Sequence, residues 1–275
     1  MTHAFLDTAY TCIQLEKNDW VLHVTLDRPQ SRNAMSLAMV KELGSVFSAL
    51  ESDLSIRAVV LRGEGGHFCA GGDIKDMASA RSSAAKSAEQ GIDPYYELNK
   101  QFGELIALMN RLPQVVITIL EGAVLGGGFG LACVSDVAIA TPTAKFGLPE
   151  TSLGIPPAQI APFVVKRIGL TQARRLALLG AKFDGQTSVE LGISHFYAQD
   201  DHEVERLLGQ TLDQVKNCAP AANAMTKALI LKAAEQEAET LIDEAARAFS
   251  AAVQSQEGVA GTMAFVQKKP APWAE

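Results

Sequence analysis

A chain of 275 residues with 48% hydrophobic and 20% charged side chains can bury one sizeable core, or a core with an appendage. Its net charge of −7 argues against a general nucleic-acid binder and against attachment to an anionic membrane. Cys12, Cys69, Cys133 and Cys218 show no CxxC spacing, so no zinc site or redox dithiol is expected and a reducing cytoplasm fits; the start MTHAFLDTAY lacks the pattern of a signal peptide.

The first expected elements are a strand near Thr11–Glu16 and a second in which Trp20, Leu22, Val24 and Leu26 alternate with Val21, His23 and Thr25. Asp27-Arg28-Pro29 stops the second strand, because proline lacks a donor and restricts the residue before it. Ser36 is placed to cap a helix carrying Met39, Leu43, Val46, Phe47 and Leu50 on one face. Ala58-Val59-Val60-Leu61 reads as a buried strand delivering the chain to a glycine turn, His67-Phe68-Cys69-Ala70-Gly71-Gly72-Asp73-Ile74-Lys75. Residues Ala78 to Asp93, rich in Ala, Ser, Lys and Glu, predict a variable loop beside that turn.

A helix from about Tyr95 to Leu112 follows, ended by Pro113, then strand Val115 to Leu120 and a second glycine turn, Leu125-Gly126-Gly127-Gly128-Phe129-Gly130-Leu131-Ala132. Val115 to Val134 is almost wholly apolar, but Glu121 and the glycines favour a buried strand, turn and helix over a membrane span. Val137 to Ala140 and Lys145 to Glu150 continue the alternation. Beyond about Asp201 strand signals cease and amphipathic helices run to Val266. The pattern predicts an α/β core over residues 1–200 made of stacked strand, turn and helix units, followed by a helical oligomerisation region at 201–275.

Two glycine turns, each after an apolar strand and each leading into a helix, expose backbone N–H groups that can converge on one oxygen, which is what a developing oxyanion requires. There is no dinucleotide fingerprint, Walker motif, nucleophile elbow or H-E-x-x-H. Cys69 with His67 makes a poor nucleophile and base, since alternate residues of an extended segment point to opposite sides. Glu150, after Pro149 in an apolar segment, is the better acid/base candidate, because desolvation raises a carboxyl pKa. Asp136 and Glu121 are expected to cap backbone or pair with cations.

These segments, with Phe146-Gly147-Leu148-Pro149-Glu150 and Leu153-Gly154-Ile155-Pro156-Pro157, closely resemble the enoyl-CoA hydratase/isomerase (crotonase) family from about Ile13 to Val266. The resemblance implies a spiral of ββα repeats with a C-terminal α-helical trimerisation region, self-association as a homotrimer or hexamer, and an acyl-CoA substrate whose CoA moiety is the only cofactor-like group. It implies no metal. By matching motifs, Gly72 and Gly127 would donate to the thioester oxygen, and Ala70, Asp73, Ile74, Gly126, Pro149 and Pro157 would border the substrate. Arg28, Arg32 and Lys75 would lie toward the CoA nucleotide, and Phe265 and Lys268 would reach the adenine and 3′-phosphate, in a neighbouring subunit's site.

The sequence departs from the family at one position. Typical hydratases carry a second glutamate where this chain has Gly130, so Glu150 alone fits either water addition across C2=C3 or proton shuttling between C2 and C4, as in Δ3,Δ2-enoyl-CoA isomerases. The run Pro157-Ala158-Gln159-Ile160-Ala161-Pro162-Phe163-Val164-Val165 resembles hydratases of branched glutaconyl-CoA thioesters, the isohexenyl compound of acyclic terpene degradation and the methyl compound of leucine breakdown. On that resemblance Gly130 is expected to leave room for the substrate's extra carboxylate, with Gln159 a candidate to meet it. A catalytically silent acyl-CoA or RNA-binding homologue is the non-enzymatic alternative.

Overall fold

A computed structural model describes residues 3–76, 78–79 and 93–274 of the chain. The loop expected over Ala78–Asp93 therefore lies outside the described residues, except for its first two residues and Asp93. In chain order the elements are β1 (Ile13–Asn18), β2 (Val21–Leu26), α1 (Leu37–Leu50), β3 (Ala58–Gly63), α2 (Pro94–Arg111), β4 (Val115–Leu120), β5 (Ala123–Leu125) and α3 (Gly127–Cys133). There follow β6 (Val137–Ala140), β7 (Lys145–Gly147), α4 (Ala161–Leu179), β8 (Lys182–Asp184), α5 (Gly185–Glu190), β9 (Phe196–Tyr197) and the helices α6 (Asp201–Lys216), α7 (Pro220–Ala233), α8 (Ala238–Gln254) and α9 (Gln256–Val266).

The period-two segments pair as expected. β1 and β2 are antiparallel, with Ile13 opposite Leu26 and Asn18 opposite Val21. β3, β4, β6 and β9 then add in parallel to give the six-stranded order β1-β2-β3-β4-β6-β9. Its inner strands are covered on both faces, which is why β3 and β4 are mostly apolar, interrupted only by Arg62 near the end of β3 and the buried Thr118 in β4. Leu22, Val24, Leu26, Val59, Leu61, Val116 and Leu120 face the main core with α1, whose Ser36 side chain accepts from the Met39 N–H. Alternate residues Val21, Ala58, Val60, Ile117, Ile119 and Ile139 face a second core closed by Val204, Leu208 and Val215 of α6. The first helix after residue 200, α6, is thus joined to the sheet by a shared apolar layer.

A second layer positions the site. Each repeat contributes one strand to the large sheet and one extended segment to a smaller tier. In rank order that tier is Met35 beside Gly72, Cys69 beside Val124, then β5, β7 and β8. The glycine turns therefore occupy adjacent ranks. The Cys69 N–H donates to the Ala123 carbonyl (2.8 Å) and the Leu125 N–H to the Cys69 carbonyl (2.9 Å), while the Met35 N–H donates to the Gly71 carbonyl (2.7 Å). Phe129, Phe146 and Phe183 brace the tier from behind, the last two stacked with centroids 5.4 Å apart.

Arg57 fastens the chain's end to the sheet. Its guanidinium donates to the carbonyls of Val215, Lys216, Cys218 and Trp273 and lies over the Trp20 ring. Asp136 accepts from the Val116 N–H and the Lys227 ammonium, and Glu121 pairs with Arg62, so both acids do the capping and pairing expected of them. Among the described residues no helix is long and apolar enough to cross a membrane, and the Val115–Val134 run becomes β4, β5 and α3.

Candidate active site

The adjacent ranks bring the glycine turns into contact: a β-carbon placed on Gly126 would lie 3.5 Å from the Gly71 Cα. Gly126 has φ 49°, ψ −115°, a conformation open to glycine alone, and its N–H is spent on the Gly147 carbonyl (3.0 Å). The next residue, Gly127, opens α3, where the first N–H groups have no intrahelical partner. In the facing turn, Met35 pairs with the Gly71 carbonyl and the Asp73 N–H (3.1 Å), bypassing Gly72 between them. Among the described residues neither the Gly72 nor the Gly127 N–H has a hydrogen-bond partner.

Both glycines line a cavity of about 380 Å³ bordered also by Ala70, Asp73, Gly126, Pro149, Glu150, Pro157 and Gln159. Glu150 begins a 3-10 turn after Pro149, and Gly126 clears its path: a β-carbon on Gly126 would stand 2.6 Å from Glu150 Oε1. Glu150 Oε2 is buried without a partner. Desolvation pushes the carboxyl above the ordinary value of 4.5, opposed only by the residue's own N–H. A half-buried carboxyl of raised pKa, with an unengaged oxygen, can move a proton near neutral pH.

Cys69 is fully buried, and burial pushes its thiol up to about 11. His67 Nδ1 accepts the Ala123 N–H at 3.1 Å. The pair therefore does not form a nucleophile and base.

The expectation for Gly130 is overturned. It does not border the cavity and leaves no room in it: a β-carbon there would lie 2.3 Å from Ile160 Cγ2 and 3.1 Å from Ile106 Cδ1. Ile160, 2% exposed and just before α4, fills that space and presents its own surface to the cavity. The missing side chain is thus replaced by an apolar wall from thirty residues downstream.

The residues matched to the CoA moiety are not gathered around this cavity. The Arg28 guanidinium is committed to Asp73 Oδ2 (2.7 Å) and the Ala34 carbonyl, so its work within the chain is to hold the Gly72 turn. Burial of Asp73 is outweighed by Arg28 and the Lys75 N–H, which hold its carboxyl below the usual value. Arg32 and Asn33 adopt left-handed conformations beside the turn, the Arg32 carbonyl accepting the Ala70 N–H. The side chains of Arg32, Ile74 and Lys75 are exposed, as are Phe265 and Lys268 at the far end of the chain. One face of α2, Tyr95, Leu98, Asn99 and Phe102, completes the cavity, and none of the four is among the site residues expected from the sequence.

The enoyl-CoA hydratase/isomerase family model matches residues 16–275. The chain is similar to Pseudomonas aeruginosa AtuE, with a TM-score of 0.92 and 57% identity, covering 96% of this chain and 100% of that one. It is equally similar to an enoyl-CoA hydratase/isomerase from Marinobacter aquaeolei, with a TM-score of 0.91, 57% identity and coverages of 96% and 99%. The mitochondrial methylglutaconyl-CoA hydratase of Mus musculus is 27% identical over 260 residues, 93% of this chain and 80% of that one.

Proposed function

The chain belongs to the enoyl-CoA hydratase/isomerase family, and from that premise we propose that it hydrates a 3-branched glutaconyl-CoA thioester such as isohexenylglutaconyl-CoA. The coarser statement, a hydratase-type lyase acting on enoyl-CoA thioesters, follows from the family and from relatives that carry that name. The observation that carries the reading is Glu150, with a buried oxygen that has no partner among the described residues, in the same cavity as two backbone N–H groups that no other described group uses.

In this reaction the thioester oxygen lies between the Gly72 and Gly127 N–H groups. Glu150, as carboxylate, takes a proton from water as the water oxygen bonds to C3. The C2=C3 electron pair moves toward the thioester, and the resulting enolate oxygen is held by the two donors. Glu150 then returns the proton to C2, so that one water has been added and the carboxylate is regenerated. The likeness to the murine enzyme, named for a methylglutaconyl substrate, supports the branched diacid. The Ile160 wall favours a second reading, Δ3,Δ2-isomerisation, in which Glu150 moves one proton between C2 and C4 and no water is bound. Exposed Ile242, Phe249 and Phe265 on the last helices support assembly as a homotrimer or hexamer.

A turnover panel of crotonyl-, methylglutaconyl- and isohexenylglutaconyl-CoA in deuterated water tests the assignment. The expected result is a 3-hydroxy product from a branched diacid. Deuterium exchange at C2 and C4 without water addition would select the isomerase.

A further inference from the structure

The cavity contains a pair of amide side chains that the proposed reaction does not use. Gln159 Nε2 donates to Asn99 Oδ1 at 2.7 Å, joining the segment before α4 to the cavity face of α2. One turn along α2, Gly103 makes this possible, since a β-carbon there would stand 2.2 Å from Gln159 Oε1. Oε1 is therefore set against the Gly103 Cα hydrogens, a weak acceptor contact that agrees with the amide's orientation. With Gln159 Oε1 against Gly103 and Asn99 Oδ1 accepting from Gln159 Nε2, the Asn99 NH2 and the second Gln159 N–H are left as donors among the described residues.

The rest of the lining sharpens the contrast. Apart from these two amides, its polar side chains are Asp73, Asp76, Tyr95 and Glu150, and none of the described lining residues is Lys, Arg or His. Asp73 is held by Arg28, and Asp76 accepts the Leu37 N–H at 2.6 Å. The remaining wall is apolar, from Leu98, Phe102, Leu153, Ile155 and Ile160. Among the described residues, an acyl group seated there meets the two amides and the Tyr95 hydroxyl as side-chain donors for an anionic oxygen.

We infer that the Asn99–Gln159 pair, seated by Gly103, receives the carboxylate at the branch of the acyl chain and sets the preference for diacid over monoacid thioesters. The inference rests on the glutaconyl reading for the identity of the acid, and on the amide geometry for the donors. Neutral donors suit this task, because a fixed ammonium facing Glu150 would favour its ionised form and lower the raised pKa on which proton return depends.

The test measures binding of saturated thioesters, which are never turned over: 3-methylglutaryl-CoA, carrying the carboxylate, against isovaleryl-CoA, lacking it, by calorimetry. Hydrogen bonds to a charged group predict a preference of about tenfold to a hundredfold for the diacid in the native enzyme. The preference should fall to about unity in Asn99→Leu/Gln159→Leu and be reduced in Gly103→Ala, which displaces the Gln159 amide while leaving both donors present. Absence of a preference in the native enzyme, or its survival in the double variant, overturns the inference. Loss of affinity for both thioesters alike would also overturn it, by making the pair a mere brace. Failure of the branched diacid in the turnover panel, with the binding preference intact, would overturn the proposed reaction and leave the carboxylate seat standing.

Discussion

Replacing Gly130 by glutamate, alone and with Ile160→Ala, tests the wall that stands at the position where the family resemblance implies a second acid. In Gly130→Glu the new β-carbon would sit 2.3 Å from Ile160 Cγ2 and 3.1 Å from Ile106 Cδ1, against ordinary carbon contacts of about 3.5–4.0 Å. Ile160 must move by more than an ångström, and overpacking of this kind costs about 1–3 kcal/mol, to which burial of a carboxylate adds. Ile160→Ala alone empties a site that is 2% exposed and should cost about 2–5 kcal/mol. In the double variant the glutamate enters the space the isoleucine vacates, leaving the residue-160 β-carbon and Ile106 Cδ1, each at 3.1 Å. The double variant should therefore be less destabilised than the sum of the singles by about 1–3 kcal/mol. Urea titrations of the four proteins at one concentration measure that coupling, and crotonyl-CoA hydration should recover in the double variant relative to Gly130→Glu. Additivity to within about 0.5 kcal/mol would refute the steric argument.

Two further perturbations follow from the electrostatics. Glu150→Gln should lower turnover by about 10²- to 10⁴-fold while thioester binding persists, and the native kcat/KM should rise with pH through an inflection above 4.5. Because the folded state keeps this proton where the unfolded chain has lost it, the associated stability is present at low pH and lost as pH rises through the raised value. Glu150→Gln should accordingly melt above the native protein at pH 8 and level with it near pH 4; a lower Tm at pH 8 would contradict the desolvation argument. Arg28→Ala leaves Asp73 buried without its partner, a loss of about 3–5 kcal/mol that should also weaken thioester binding through the Gly72 turn. Arg28→Leu/Asp73→Leu should be more stable than the single variant, and an unchanged Tm in Arg28→Ala would reject the role given to the pair.

The features that were legible in the sequence are those in which local chemistry and tertiary demand coincide. The alternation in β2, the Ser36 cap, the apolar face of α1 and Glu150 in its apolar segment all survive in the structure. β8 and β9 span three and two residues, too short for a period to register, and exist because neighbouring strands supply their partners. The wall at Gly130 was illegible for another reason, since a glycine does not announce which distant side chain will cover it. Asn99 carries no signal of its own in the sequence, since a single amide on a helix such as α2 is ordinary. Gly103 offered a clue: glycine inside a helix costs about 1 kcal/mol against alanine, and its benefit here lies on the adjoining chain.

The tiered arrangement of the glycine turns separates two kinds of inheritance. Spacing between the Gly72 and Gly127 ranks is a property of paired backbone, set by hydrogen bonds through Met35, Cys69 and Leu125 and indifferent to most side-chain change. The opposite wall, from Ile160, Gln159 and Asn99, is made of side chains whose replacement leaves that lattice intact. A molecule built this way can have a few wall positions rewritten while the spacing of the two glycine turns stays fixed, so that on the proposed reaction the acyl group can change without disturbing the thioester oxygen's donors.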